Sequence, residues 1–166
     1  MMTFDEIKTL ITDKFGTDSI IDTETSGLQP AILVNPGMIV KICEELRDNE
    51  KTWFDFLSCL SGVDHGVENN KFSVVYHLAS IPHNRQLVLK VVKEHRRDLE
   101  DLPVFHSVSS VWHTAEWHER EAYDLVGIMF EGHPDMRRIL LPDDWEGYPL
   151  RKDYQAAEEY KGIKIN

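Results

Sequence analysis

The sequence predicts an α+β fold, a two-layer domain with a mixed or antiparallel sheet, and three observations carry the prediction. Apolar residues recur at helical spacing in two segments of the N-terminal half. Two apolar-rich runs separated by a turn follow in the middle of the chain, and a third helical pattern precedes a tail punctuated by prolines and glycines. The expected division is a compact domain over residues 1–132 and a C-terminal extension over 133–166 that is ordered against a partner.

The first element opens with Thr3-Phe4-Asp5-Glu6, a capping box in which a Thr hydroxyl and a Glu carboxylate satisfy each other's backbone N–H groups. Phe4, Ile7, Leu10, Ile11 and Phe15 then share a face until Gly16 offers a C-cap. Ser19 to Thr23 and Ala31 to Val34 read as short strands, the latter closing at Asn35-Pro36, an N-cap and N1 pair for a second helix through Ile39, Ile42, Cys43 and Leu46. Trp53 to Val63 is apolar enough for strand or helix, and Asp64-His65-Gly66 ends it in a turn. Lys71 to Ala79 and Gln86 to Val92 read as antiparallel strands joined across Pro82-His83-Asn84. Val88, Lys90 and Val92 on one side and Leu87, Leu89 and Val91 on the other predict a strand covered on both faces. Ser107, Ser109 and Ser110 offer caps for a helix over Val111 to Val126, which Gly127 stops. Beyond Gly132 no long periodic segment occurs, yet Ile139, Leu140, Leu141, Trp145, Tyr148 and Leu150 make the tail too apolar for a disordered one.

Composition bounds the function. The net charge of −11 in 166 residues argues against a nucleic-acid partner, because phosphate neutralisation needs clustered Lys and Arg. Residues 1–70 carry 5 basic and 13 acidic side chains and residues 71–166 carry 13 and 16, so recognition of carboxylates is expected in the second half. The N-terminus lacks the basic and apolar regions of a secretory signal. The longest uncharged run, Thr25 to Val40, is shorter than the ~20 residues of a spanning helix and is broken by Pro and Gly, so no direct membrane span is expected. Cys43 and Cys59 stand far apart with no Cys-x-x-Cys, too few thiols for an iron–sulfur cluster or structural zinc.

The stretch HEREAYDL, residues 118–125, holds five acidic or basic side chains in eight positions. On a helix at about 100° per residue, His118 falls on the stripe of Val111, Ala115, Ala122, Leu125 and Val126, where a hydrogen-bonded core or interface histidine is expected. Glu119 and Glu121 project about 160° apart and cannot flank one bond as glycosidase carboxylates do. His113 and His118, with Glu116, would be a zinc-hydrolase set, but they stand five apart and about 140° from each other rather than on one face. Arg120 lies between Glu116 and Asp124 at i−4 and i+4, the pattern of a solvated ion-pair ladder. Trp117 on that outer face is unusual for solvent and ordinary for an interface. No Gly-x-Gly-x-x-Gly, Walker loop or nucleophile elbow is present.

The segment EREAYDLVGIMFEGHPDMRRILLPDDWEGYPLRKDY, residues 119–154, closely resembles the signature of the thirty-kilodalton (C subunit) family of respiratory complex I, the proton-pumping NADH:quinone oxidoreductase. Glu119-Arg120-Glu121, Asp124, Gly127-Ile128, His133-Pro134, Arg137-Arg138 and Pro149 to Tyr154 carry the match. His118, where the family often has an apolar residue, and Tyr148, where His is common, depart from it. The resemblance implies a compact α+β domain with a C-terminal extension, in the hydrophilic arm on the cytoplasmic face of a bacterial inner membrane. It implies no cofactor in this chain, with flavin and iron–sulfur clusters in partner subunits, and the D subunit of complex I as the foremost partner with the B, G and I subunits nearby. Because twelve residues follow Tyr154, a polypeptide separate from the D subunit is expected. Catalytic and metal residues are not expected. Trp117, Glu119, Arg120, Glu121, Asp124, His133, Arg137, Arg138, Arg151 and Lys152 are the expected signature and partner-binding residues. Among them Arg120, Glu121 and Asp124 would order the chain leaving the helix, and Arg137, Arg138, Arg151 and Lys152 would tie the tail to the D subunit. A related membrane-bound hydrogenase or other quinone-linked dehydrogenase is the alternative setting; a stand-alone metal-dependent hydrolase on His113, Glu116 and His118 is a third reading.

Overall fold

In the computed structural model, which describes residues 2–164, α1 spans Phe4–Phe15 behind a complete Thr3/Glu6 capping box and ends at Gly16, whose φ of +88° suits a residue without a Cβ. Strands β1 (Ile20–Glu24) and β2 (Ala31–Val34) pair antiparallel. The Asn35 side chain accepts the Gly37 N–H, so Asn35-Pro36 starts a 3-10 turn over Pro36–Met38, and α2 begins after it, at Ile39–Asp48. Then come β3 (Phe56–Asp64), β4 (Lys71–Ser80) and β5 (Arg85–Glu94). The sheet order is β1-β2-β5-β4-β3. Chain leaving β2 passes through α2 to the far edge at β3, and two antiparallel pairings bring it back to lie parallel to β2.

Register explains the core. Leu60, Tyr76, Leu89 and Ile32 stand opposite one another on four neighbouring strands, and all are buried against Ile7, Ile11, Ile39, Ile42 and Leu46 of α1 and α2. Each such aliphatic side chain removed from water contributes roughly 1.5–3 kcal/mol. The other face carries Asp22, Leu33, Lys90, Val75 and Ser61 in one row, half-buried or exposed. β5 is therefore sealed on one side, and of its outer row only Val88 is buried.

Helix α3 spans Ala115–Val126 and is flanked by a short parallel pair, β6 (Val104–His106) and β7 (Met129–Glu131), which the sequence pattern does not announce. Residues 111–114 form turns instead of the expected first helical turn, because Trp112 is buried with its Nε1–H donated to the Phe54 carbonyl at 3.1 Å. None of the three serines caps α3; Thr114 holds the N-cap position without a side-chain bond. Gly127, at φ +72°, ψ 49°, closes the helix in a left-handed turn against Tyr148. The tail then runs back along α3 and ends in a small hairpin of β8 (Glu159–Tyr160) and β9 (Ile163–Lys164). No described helix is long and apolar enough to cross a membrane.

Candidate functional site

The signature residues meet where α3 hands the chain to its C-terminal strap. Asp124 has no exposure. Its carboxylate accepts Arg138 Nη1 at 2.7 Å and, on Oδ2, the N–H groups of Ile139, Leu140 and Leu141 at 3.0, 2.7 and 2.8 Å. Burial works to raise its pKa, but the Leu141 N–H, the Arg138 guanidinium and the Leu140 and Ile139 N–H groups outweigh it and hold the carboxyl below its ordinary value. Arg138 spends its remaining donors on the carbonyls of Asp124, Trp145 and Gly147 and lies over the Tyr148 ring. Arg120 donates to the carbonyls of Arg137 and Arg138 at 3.1 and 2.9 Å. The ladder with Glu116 and Asp124 does not form, because the returning strap presents carbonyls and a second guanidinium within reach.

A second fastening lies at the end of β3. The buried Asp64 carboxylate accepts both Arg97 Nη atoms, at 2.7 and 2.5 Å, and the N–H groups of Gly66 and Lys152, each at 2.8 Å. Arg97 also pairs with Asp153 at 2.8 Å and adopts φ +66°, a left-handed conformation unusual for Arg. Despite its burial, Asp64 is held far below the usual carboxylate range by Arg97 and the two N–H groups. Arg151, also buried, is layered between Phe72 and Tyr148 and donates Nε to the Val126 carbonyl at 2.9 Å. Burial lowers its pKa from a very high ordinary value, so it keeps its charge.

Glu119 is likewise closed to solvent but differently treated. It accepts Ser107 Oγ at 2.6 Å and the Val108 N–H at 2.8 Å. Desolvation outweighs these two neutral donors, and its pKa is pushed up to about 7.

The expected residues thus separate. Glu119, Asp124, Arg138 and Arg151 face inward and Arg120 is largely covered, whereas Trp117, Glu121, Arg137 and Lys152 face outward. Trp117 is 63% exposed with the Arg120 guanidinium over its ring. Glu121 makes no hydrogen bond to the described residues of the strap, unlike Arg120 and Asp124 with which the sequence grouped it. His133 is a spacer: Nε2 donates to the Glu116 carbonyl at 3.0 Å and Nδ1 accepts the Asp135 N–H. His118 lies at the expected stripe, but its Nδ1 is screened from solvent with no hydrogen-bond partner among the described residues. His113 reaches Glu116 at 3.1 Å and is almost wholly exposed; no described group of three or more His, Cys, Asp or Glu is placed to hold a metal ion. Sequence reasoning missed Asp64, Arg97 and Ser107. Asp64 closes an apolar run as a buried acid, but its partners stand 33 and 88 residues away, beyond any local pattern. Glu119 carried a signal: four residues after Ala115 and three before Ala122, it belongs on the inner stripe.

Fold and junction together define an α+β module in which the densest ionisable cluster of the chain fastens a C-terminal strap to a helix. Residues 32–160 match the family described as respiratory-chain NADH dehydrogenase, 30 Kd subunit, and the chain belongs to that family. It is 48% identical to the C subunit of an NADH-quinone oxidoreductase of Chloroherpeton thalassium over 158 residues, 94% of this chain and 62% of that one. To the protein of the same description from Chlorobium phaeobacteroides it is 42% identical over 94% of this chain and 91% of the relative. The chain therefore spans less than two thirds of the first relative and nearly all of the second. A chain in the structure of an archaeal membrane-bound sulfane sulfur reductase, a respiratory membrane complex, shares the fold with a TM-score of 0.71 at 23% identity, over 91% of this chain and 85% of that one.

Proposed function

We propose that the chain is a non-catalytic scaffold subunit of the hydrophilic arm of a proton-translocating NADH:quinone oxidoreductase, supporting assembly and electron transfer from NADH to quinone. It sits peripherally on the cytoplasmic face of the inner membrane, beside the D subunit foremost with the B, G and I subunits nearby, and the flavin and iron–sulfur clusters belong to those and other partners. The single observation that carries this reading is the family match over residues 32–160, supported by relatives described as C subunits of NADH-quinone oxidoreductases over 94% of the chain. The geometry is consistent with it. Signature charges at the α3 junction are consumed in holding the strap, which leaves Trp117, Leu140, Leu150, Arg137 and Lys152 on the outside as contact groups. The setting in a hydrogenase or other dehydrogenase is less favoured, since the likeness to the sulfane sulfur reductase chain extends to the fold alone.

Affinity purification of the tagged chain from gently solubilised native membranes tests this. Recovery of the B, D, G and I subunits with NADH-dependent quinone reduction is the expected result. Recovery of hydrogenase subunits, or of the chain alone, would overturn it.

A further inference from the structure

The strap turns its polarity inside out. Arg138 and Arg151 are covered, while Leu140 and Leu150 are 62% and 59% exposed. Leu150, tied through its N–H to the Leu125 carbonyl at 2.8 Å, forms one wall of a cleft of about 250 Å³. The helix α3 supplies the second wall with His118, Glu121 and Leu125, and β3 supplies the third with the consecutive residues 59–62. Side chains of successive strand residues point to opposite faces, so four lining residues in a row suit a cleft that runs along the edge of the strand. Among the described residues β3 is an edge strand whose backbone ladder pairs only with β4, while Thr114 Oγ1 reaches the Leu57 carbonyl at 3.4 Å, before residues 59–62. Gly62 lets α3 come this close, since a Cβ there would stand 3.1 Å from that of Ala122.

One charge on the cleft wall is unmet among the described residues. Glu121 is exposed on α3 and has no cationic partner among them. A second copy of this chain, at net charge −11, would bring more negative charge to that carboxylate; a basic residue would complement it.

We propose that this cleft receives an extended segment of a partner subunit, which adds to the free edge of β3. The segment places a large apolar side chain against Leu125 and Leu150 and a Lys or Arg at Glu121. The mode is strand addition, in which the backbone supplies affinity and alternate side chains supply selectivity. The proposal rests on the scaffold reading above.

The test places the photocrosslinking residue p-benzoyl-phenylalanine at position 150 of the tagged full chain, irradiates the assembled complex, and maps the crosslinked peptide by mass spectrometry. The expected product is a single extended segment of another subunit with Lys or Arg within two residues of the crosslink. Glu121→Lys should lower its yield about fivefold without altering the thermal melt of the isolated chain. In a complex carrying native Leu150, the amides among residues 59–62 that face away from β4 should exchange more slowly than in the free chain. A crosslink to a second copy, to a helix or to a segment without a basic neighbour, an indifferent Glu121→Lys, or unchanged exchange would each overturn the proposal. If no companion subunits are recovered at all, the scaffold reading fails by that separate readout, and this proposal fails with it.

Discussion

Glu119 and Asp124 stand five residues apart on one helix, both without exposure, and the protein treats them in opposite ways. Asp124, near the C-terminal end of α3, accepts four donors, one of them a guanidinium, and is held as an anion. Glu119, toward the other end, meets two neutral donors, and its pKa rises to about 7. Closure to solvent therefore does not fix charge: Glu119 lies deeper than Asp124 and meets fewer, neutral donors, and depth together with the number and charge of the donors decides whether desolvation is outweighed. One carboxylate fastens the strap, while the other is poised between protonation states near neutrality.

The largest expected effect breaks the fastened side. Arg138→Ala leaves the Asp124 carboxylate buried without its cation and strips the carbonyls of Trp145 and Gly147 of their donor. Removal of one partner from a buried ion pair costs about 3–5 kcal/mol, so urea denaturation of the isolated chain should show a loss of that order. This differs from the sequence expectation that Arg138 ties the tail to the D subunit. A melt indistinguishable from the parent would show that the strap is not held by Asp124.

Glu119 comes next and acts through pH. A carboxyl whose folded pKa exceeds its unfolded value stabilises the fold below the unfolded pKa, and that contribution is lost as the pH rises through the folded one. For Glu119 the rise from 4.5 to about 7 is worth up to ~3 kcal/mol across that window. Glu119→Gln should flatten stability between pH 4.5 and 7 and leave the variant the more stable of the two at pH 8. Parallel pH curves for parent and variant would contradict the difference drawn between the two acids.

Gly127 sharpens the comparison at the point where Asp124's helix ends. A Cβ there would fall 2.6 Å from Tyr148 Cδ2, at a φ of +72°. Gly127→Ala should destabilise by about 1–3 kcal/mol through overpacking and left-handed strain together. It should also quicken hydrogen exchange in the strap before that in the five-stranded sheet. Simultaneous loosening of both would mean that the strap is not a separately openable unit.

The periodicity of the first two helices, the antiparallel pairing of β4 with β5 and the stop at Gly127 were all legible, because each is a local consequence of side-chain spacing and turn residues. The densest cluster was legible too, but not its orientation. A wheel places Arg120 and Asp124 toward solvent only when nothing lies over that face, and the strap that covers it comes from residues 137–154. The same blindness hid Asp64 with Arg97 and made Arg138 and Arg151 look like outward cations. Buried arginines flanked by exposed leucines invert the usual reading of polarity. Only the long-range bonds to Asp124, Val126 and Gly127 explain why the charged groups are the ones inside.

Lys152 supplies the smallest effect and the cleanest contrast. Its backbone N–H is part of the Asp64 fastening at 2.8 Å, yet its side chain is exposed. Lys152→Ala keeps the N–H and removes only an outward charge, so the melt of the isolated chain should move by no more than about 0.5 kcal/mol. Complex yield from membranes should nonetheless fall, and more steeply at high ionic strength, because a rim cation contributes to association chiefly through screened electrostatics. Arg138→Ala would lower yield by unfastening the strap of the free protein, whereas Lys152→Ala would lower it with the free protein intact. A Lys152→Ala chain that assembles normally would remove this side chain from the contact surface. A chain that melts early would mean that the side chain, and not only its N–H, helps to hold the strap.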